Sequence, residues 1–187
     1  MSYELTDSIT VFERRDWGAR SPRAMTTQSP PKEAFLHHTT DHNAESINNL
    51  EEQKAAMRAV QAFHMDVRGW SDIAYAYIVF QPYDPVEHAR IFEGRLTKYV
   101  PAAQLGHNTG TLPICVFGNF DHEDSVKKNT RYAIEMLLTK RPEKTGAGSV
   151  KTLGGHRDVV GTECPGDTLY AQLDRICDAA NVRRYHA

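Results

Sequence analysis

Ala34-Phe-Leu-His-His-Thr39 is an apolar run with a β-branched end, and it reads as a buried strand. Alternation along it puts Phe35, His37 and Thr39 on one face and Leu36, His38 and Thr40 on the other. C-terminal to it the period changes. From about Asn43 to Val67, Ile47, Leu50, Met57, Val60 and His64 recur at steps of three, four or seven, with Lys54 the one polar step, which predicts an amphipathic helix ended by Gly69. Ile73 to Phe80 reads as a second strand with Tyr75, Tyr77 and Val79 on a shared face, closed by Pro82 and Pro85. Arg90-Ile-Phe-Glu93 is a short third strand, and Ile114-Cys-Val-Phe117, apolar throughout, is a central fourth. Asp124 stands as N-cap to a second helix whose stripe is Val126, Ala133, Ile134, Leu137 and Leu138, with Pro142 at its end. Residues 143–149 follow as a Gly-rich loop, and Lys151-Thr-Leu-Gly154 is a fifth strand. Asp167 then caps a last helix that turns Leu169, Leu173, Ile176 and Ala180 inward. On the other side of the opening strand, residues 1–33 read as mostly irregular, with Pro22, Pro30 and Pro31 among Ser, Thr and Gln. Interleaved strands and helices make the class α/β, with a single mixed sheet of about five strands flanked by about three helices.

The 187 residues suit one domain, and 40% hydrophobic with 25% charged residues is globular composition. No apolar run approaches the ~20 residues of a membrane span, and the start Met-Ser-Tyr-Glu-Leu-Thr-Asp lacks the basic and apolar regions of a secretory signal. A net charge of −2 carries no basic footprint for nucleic acid and no polybasic membrane face. Three cysteines, Cys115, Cys164 and Cys177, are too few and of the wrong parity for a disulfide framework. Nine histidines are the skewed count, and imidazole is both a metal ligand and an acid/base group.

His37 and His38 point to opposite faces of their strand, so a site on one face takes one of them easily; the plain alternative is a hydrogen-bonded core histidine beside a surface one. Gly155-His-Arg-Asp158 follows a predicted strand, and a Gly- and Pro-bracketed loop leads on to Cys164. His37, His156 and Cys164 together would supply the three protein ligands of a catalytic zinc. The spacing also allows Cys164 to be a buried thiol with His156 capping a turn, or Cys164 to act as a nucleophile with a histidine. Cys115 and Cys177 read as buried core, as do Tyr75, Tyr77 and His64. His107, in Leu105-Gly-His-Asn108, sits in a loop that either lines a cleft or lies on the surface. His42, His88, His122 and His186 have no supporting pattern.

Six segments in one order change this balance: Arg15-Asp-Trp-Gly-Ala-Arg20, Phe35-Leu-His-His-Thr39, Phe63-His-Met65, Arg68-Gly-Trp-Ser-Asp-Ile-Ala-Tyr75, Gly118-Asn-Phe120, and Gly155-His-Arg-Asp158 with Thr162-Glu-Cys-Pro-Gly166. Together they resemble the zinc-dependent N-acetylmuramoyl-L-alanine amidases (type 2 amidases), related to peptidoglycan recognition proteins and phage amidase endolysins. The likeness runs from about Arg14 to Cys177. It implies the peptidoglycan-recognition-protein/amidase fold and, over 1–187, a single zinc amidase catalytic domain. It implies Zn2+ held by His37, His156 and Cys164, with Tyr75 and Thr162 catalytic, Thr162 orienting water or substrate from a position that carries lysine in some relatives and threonine in others. His38, Trp70, His107 and Asn108 are expected to contact substrate. Ala76 departs from the Asn or His that often follows the tyrosine. Relatives that have lost hydrolysis typically lack the cysteine, so Cys164 implies an active enzyme, and Gly69-Trp70 implies diaminopimelate-type stems.

The function so implied is hydrolysis of the amide between N-acetylmuramic acid and L-alanine in bacterial peptidoglycan by a monomer, with no nucleic-acid or membrane partner. Without a signal sequence, the expected setting is synthesis in the cytoplasm and action on the wall after membrane permeabilisation, as for a phage endolysin. The alternatives are a recognition module that binds without cutting and a cytoplasmic wall-recycling amidase.

Overall fold

The computed structural model describes residues 2–41, 44–82, 89–121, 125–145 and 148–186. The opening strand of the sequence reading is β3 (Glu33–His38), inside one eight-stranded mixed sheet. Its companions are β1 (Tyr3–Thr6), β2 (Ile9–Phe12), β4 (Tyr77–Phe80), β5 (Arg90–Glu93), β6 (Thr111–Phe117), β7 (Thr152–Gly155) and β8 (Arg183–Arg184). The order is β1-β2-β5-β4-β6-β3-β7-β8, and β4, β6, β3, β7 and β8 run parallel to their neighbours in that half. The helices are α1 (Leu50–Ala62), α2 (Lys128–Thr139), α3 (Arg141–Thr145), α4 (Asp167–Tyr170) and α5 (Leu173–Ala180).

Alternation along the strands sorts the core into two layers. Leu36, Leu112, Ile114, Val116 and Leu153 meet Ala133, Ile134 and Leu137 of α2 and Leu173 and Ile176 of α5. On the other face Cys115, Phe117, Ile78, Phe80 and Phe92 pack with Trp17 and with Met57 of α1. His37, paired in register with Cys115, belongs to the α1 face. Asn49 caps α1: its Oδ1 accepts the Glu52 N–H at 3.0 Å, while Glu52 Oε2 accepts the Asn49 N–H at 3.3 Å. The helix continues as a π-turn over Phe63–Val67, a distortion that recurs at functional sites.

Several expectations need correction. The first 33 residues are irregular over most of their length, as expected, but they open with an antiparallel hairpin of β1 and β2 around Asp7-Ser8 that the sequence reading missed. Leu5, Ile9 and Val11 are its buried positions, and the four-residue strands are too short for their alternation to stand out. β8 holds two arginines and no apolar signal at all. The first helix begins at Leu50 rather than Asn43, and Pro142, expected to mark the end of the second helix, is instead the second residue of the short α3 (Arg141–Thr145), which runs into the stretch expected to be a loop. Asp167 does not cap the last helix: it is the first residue of the separate α4, which Gly166 caps, α5 starts after Gln172, and the Asp167 carboxylate pairs with Arg157 at 2.6 Å. A Cβ at Gly166 would lie 2.3 Å from the Phe120 carbonyl carbon, which only glycine permits. Asp124, Pro85, His42, His88 and His122 lie outside the described residues.

Tyr75 precedes β4 and does not share a face with Tyr77 and Val79. It packs on the Ile78 and Phe80 side, while Tyr77 and Val79 belong to the other layer. The segment before β4 is held by loop contacts instead of a ladder. Arg95 donates from Nε to Ile73 O (2.8 Å) and from Nη2 to Asp72 O (3.0 Å), and its backbone N–H bonds to Tyr75 O (2.8 Å). A two-residue period therefore does not extend back to Tyr75. Among the described residues, no helix is long and apolar enough to cross a membrane.

Candidate metal centre

β3 ends at His38 and its parallel neighbour β7 at Gly155, so His37 and His156 stand together at strand carboxyl ends, where open α/β sheets place their sites. The loop after His156 turns back on itself. The Arg157 N–H bonds to Cys164 O at 2.9 Å, and the Arg157 guanidinium bonds to Glu163 O. The Cys164 N–H bonds to Thr162 Oγ1 at 3.2 Å. This fold-back brings Cys164 Sγ to 3.7 Å from His37 Nδ1. Donor atoms of His37, His156 and Cys164 all lie within 4.8 Å of one another, and the two imidazole centroids are 4.5 Å apart.

The donor set fits a zinc ion. Zn–S of ~2.3 Å and Zn–N of ~2.0–2.1 Å at a tetrahedral angle separate sulfur and nitrogen by about 3.6 Å, close to the 3.7 Å seen between Cys164 and His37. Two imidazoles and one thiolate leave the fourth position of a catalytic site open. Burial, the largest influence on both rings, pushes His37 well below its ordinary value and lowers His156, so both are neutral and able to ligate at neutral pH. Burial pushes the Cys164 thiol up to about 12, against the N–H of His38 that points at its sulfur from 3.5 Å. Without a metal this thiol is protonated at neutral pH, so it is no nucleophile.

Tyr75 lies beside the cluster, its ring 5.3 Å from that of His37. Burial first, then Cys115 and Cys164, hold its hydroxyl well above the ordinary phenol value, so it keeps its proton. A cleft of about 710 Å³ opens over these groups, walled by Phe63, His64, Arg68, Trp70, Asp121 and Thr162. A second cavity of about 540 Å³, between Ser8, Tyr132 and Arg175, lies apart from the cluster.

The other expected substrate contacts divide. Trp70 lines the cleft, its ring 4.9 Å from that of His64. His38 lines it too, although its face of the strand is the opposite one, because β3 ends there; its Nδ1 accepts the Phe120 N–H at 3.2 Å. Thr162 is engaged in holding Cys164, as above. His107 is exposed and is not among the cleft residues, and Asn108 is used locally, its Oδ1 accepting the N–H of Ala103 (2.9 Å) and Gln104 (2.8 Å).

Sequence reading missed a clamp on the ligand loop. Asp158 accepts from the Gly155 N–H (2.8 Å), the Tyr170 hydroxyl (2.5 Å) and Arg184 Nη1 (2.7 Å). Arg157 and Arg184 both stack on the Tyr170 ring, at 4.8 and 5.0 Å from its centroid. The Gly155-His-Arg-Asp158 string contained the acid, but its partners come from α4 and β8 and have no sequence signal.

His64 is buried between Trp70 and Tyr75, and its Nδ1 accepts the Ala74 N–H at 3.2 Å. Burial, with Arg95 and Arg68, lowers it to about 4. The unfolded chain takes up this proton near pH 6.5, so the group contributes stability above that pH and loses it as pH falls towards 4. The expected loss is up to ~3 kcal/mol. Urea unfolding from pH 7.5 to 4.5 should show a shallower pH dependence in His64→Asn than in the parent; equal slopes would contradict this role.

No family model matches the chain. Peptidoglycan-recognition protein SC1a/b of Drosophila simulans is 27% identical over 173 residues, covering 92% of this chain and 88% of that protein. Human N-acetylmuramoyl-L-alanine amidase is 30% identical over 169 residues, 87% of this chain but 27% of that much longer protein. Among solved structures, Drosophila peptidoglycan recognition protein SD superposes with a TM-score of 0.77 at 27% identity, over 90% of this chain and 95% of that one. Peptidoglycan recognition protein LE, solved with tracheal cytotoxin (a monomeric diaminopimelic acid-type peptidoglycan), gives 0.75 at 28% identity, over 88% and 92%. In sequence and in fold, the chain is a homologue of the peptidoglycan-recognition proteins and N-acetylmuramoyl-L-alanine amidases of the type 2 amidase family.

Proposed function

We propose that this chain is a zinc-dependent amidase that cleaves the bond between N-acetylmuramic acid and L-alanine in bacterial peptidoglycan. The observation that carries the reading is the convergence of His37, His156 and Cys164, with His156 and Cys164 lining an open cleft and His37 buried behind them. Its homologues include both amidases and recognition proteins, so the family alone leaves cutting and binding open. The donor set favours cutting, because a module that only binds has no use for three ligands around an open position. A thiol hydrolase built on Cys164 is disfavoured by a sulfur pushed up to about 12.

When bound, zinc supplies Lewis acidity at the scissile carbonyl and makes water acidic enough to attack near pH 7. The chain's own groups do the rest. His37 and His156 hold neutral imidazoles, and the His38 N–H supports the Cys164 sulfur. Tyr75 keeps its proton and is placed to donate it as a hydrogen bond to the carbonyl oxygen as charge develops there. Thr162 fixes the turn at Cys164 through its hydroxyl and cannot supply a lysine's charge. Trp70 and Phe63 offer apolar walls for the glycopeptide, and a diaminopimelate-type stem is the proposed substrate. The proposed setting is a phage endolysin that acts as a monomer after membrane permeabilisation.

Mass analysis of purified wall digested with the zinc-loaded protein tests the reading. Free L-alanine amino ends and unsubstituted lactyl carboxyls should appear in equal amounts. Retention of intact fragments without new ends would show a recognition module instead.

A further inference from the structure

Beside the ligand cluster, three buried polar atoms have no hydrogen bond among the described residues: Nε2 of His37, and both Nε2 and Oε1 of Gln104. His37 is 1% exposed and Gln104 0%, so bulk water does not satisfy them. Native proteins rarely leave such groups unpaired. The turn carrying Gln104 is built rather than loose. Asn108 Oδ1 holds the Ala103 and Gln104 N–H groups, and the Ala102 N–H bonds to Ala74 O at 3.3 Å. That places the turn against the segment bearing Tyr75, whose ring lies 5.3 Å from His37. The Gln104 side chain is close enough to raise the His37 imidazole, against the larger lowering by burial and by His156, although no hydrogen bond is closed between them here.

We propose that Gln104 is a positioning residue for the metal centre, its Oε1 accepting the Nε2–H of His37 and so leaving the ring's lone pair on Nδ1, the nitrogen that faces Cys164. A neutral imidazole carries one N–H, and its two tautomers are close in energy unless a neighbour selects one. With the proton on Nδ1, the ring would present a donor, not a lone pair, towards the sulfur and the ion. Gln104 removes that state. The same geometry gives Asn108 a task that needs no substrate contact: it holds the turn from which Gln104 reaches His37. This inference rests on the zinc reading above.

The test uses the full chain, zinc ion, and the variants Gln104→Leu and Gln104→Glu. Loss of such an outer partner typically weakens a metal site 10–100-fold. Competition with a chromophoric chelator should show Gln104→Leu binding zinc at least 10-fold more weakly. Gln104→Glu, which keeps the acceptor, should bind as tightly as the parent or tighter. Ring nitrogen NMR shifts of His37 should show the proton on Nε2 in the parent. A folded Gln104→Leu with parental zinc affinity, or a parental His37 protonated on Nδ1, overturns the proposal. If Gln104→Leu does not fold, a 10-fold loss in Gln104→Glu overturns it equally. Failure of the parent to bind zinc at all would overturn the amidase reading, whereas the His37 tautomer would still decide the role of Gln104.

Discussion

Cys164→Ala is expected to lose zinc and wall hydrolysis together. The sulfur is the only anionic donor of the three, and it lies 3.7 Å from His37 Nδ1 with the His38 N–H turned towards it. Two neutral imidazoles alone neither match the charge of a divalent ion nor complete its coordination. Zinc should raise the melting temperature of the parent, since saturation at ~1,000 times Kd stabilises by about 4 kcal/mol. The variant should melt at one temperature whatever the zinc concentration. Proton bookkeeping adds a second signature. The thiol sits at about 12, while both imidazoles are already neutral. Zinc uptake near pH 7 should therefore release roughly one proton, from Cys164, and titration calorimetry in buffers of different ionisation enthalpy reads that number. A Cys164→Ala protein that still hydrolyses wall after chelation would refute the metal reading.

Tyr75→Phe separates the metal from the donor. No hydrogen bond joins the hydroxyl to His37, His156 or Cys164 among the described residues, so zinc affinity should stay within about threefold of the parent. Turnover should fall by ~10²–10³, the value of one well-placed donor at the transition state. The loss should appear in kcat and not in KM, because the hydrogen bond strengthens only as charge develops. As the phenol is held well above its ordinary value, the parent should show no alkaline loss of rate from Tyr75 up to pH 9. Unchanged turnover in Tyr75→Phe would remove it from the mechanism.

The parts of this fold that were legible in the sequence are those whose burial is one-sided and long enough to show a period. β3, β6 and the stripes of α1, α2 and α5 fall where Leu36, Ile114, Met57, Ile134 and Ile176 recur. The β1–β2 hairpin was hidden by strands of four residues, and β8 by being two arginines. Tyr75 was placed on the wrong face because a strand period was carried into a segment held by Arg95 and the Gly94 turn. Gly94 could have signalled it: a Cβ there would lie 2.3 Å from Tyr75 O. The ligand triad was legible in part, since His156 and Cys164 lie in one Gly- and Pro-bracketed loop, but their approach to His37 depends on β3–β7 pairing, which spacing does not encode. Asp158 stood in the quoted string, but its links to Tyr170 and Arg184, and the place of Gln104, were invisible for the same reason, as they depend on partners far away in the chain.

One ion bound by one sulfur and two imidazoles underlies every step of the proposed function. Zinc K-edge X-ray absorption on the purified chain measures those neighbours directly. One zinc per chain is predicted, with a single sulfur at ~2.3 Å and nitrogen or oxygen neighbours at ~2.0–2.1 Å, the sulfur shell disappearing in Cys164→Ala. A zinc shell of nitrogen and oxygen alone in the parent, or no stoichiometric zinc, would contradict it.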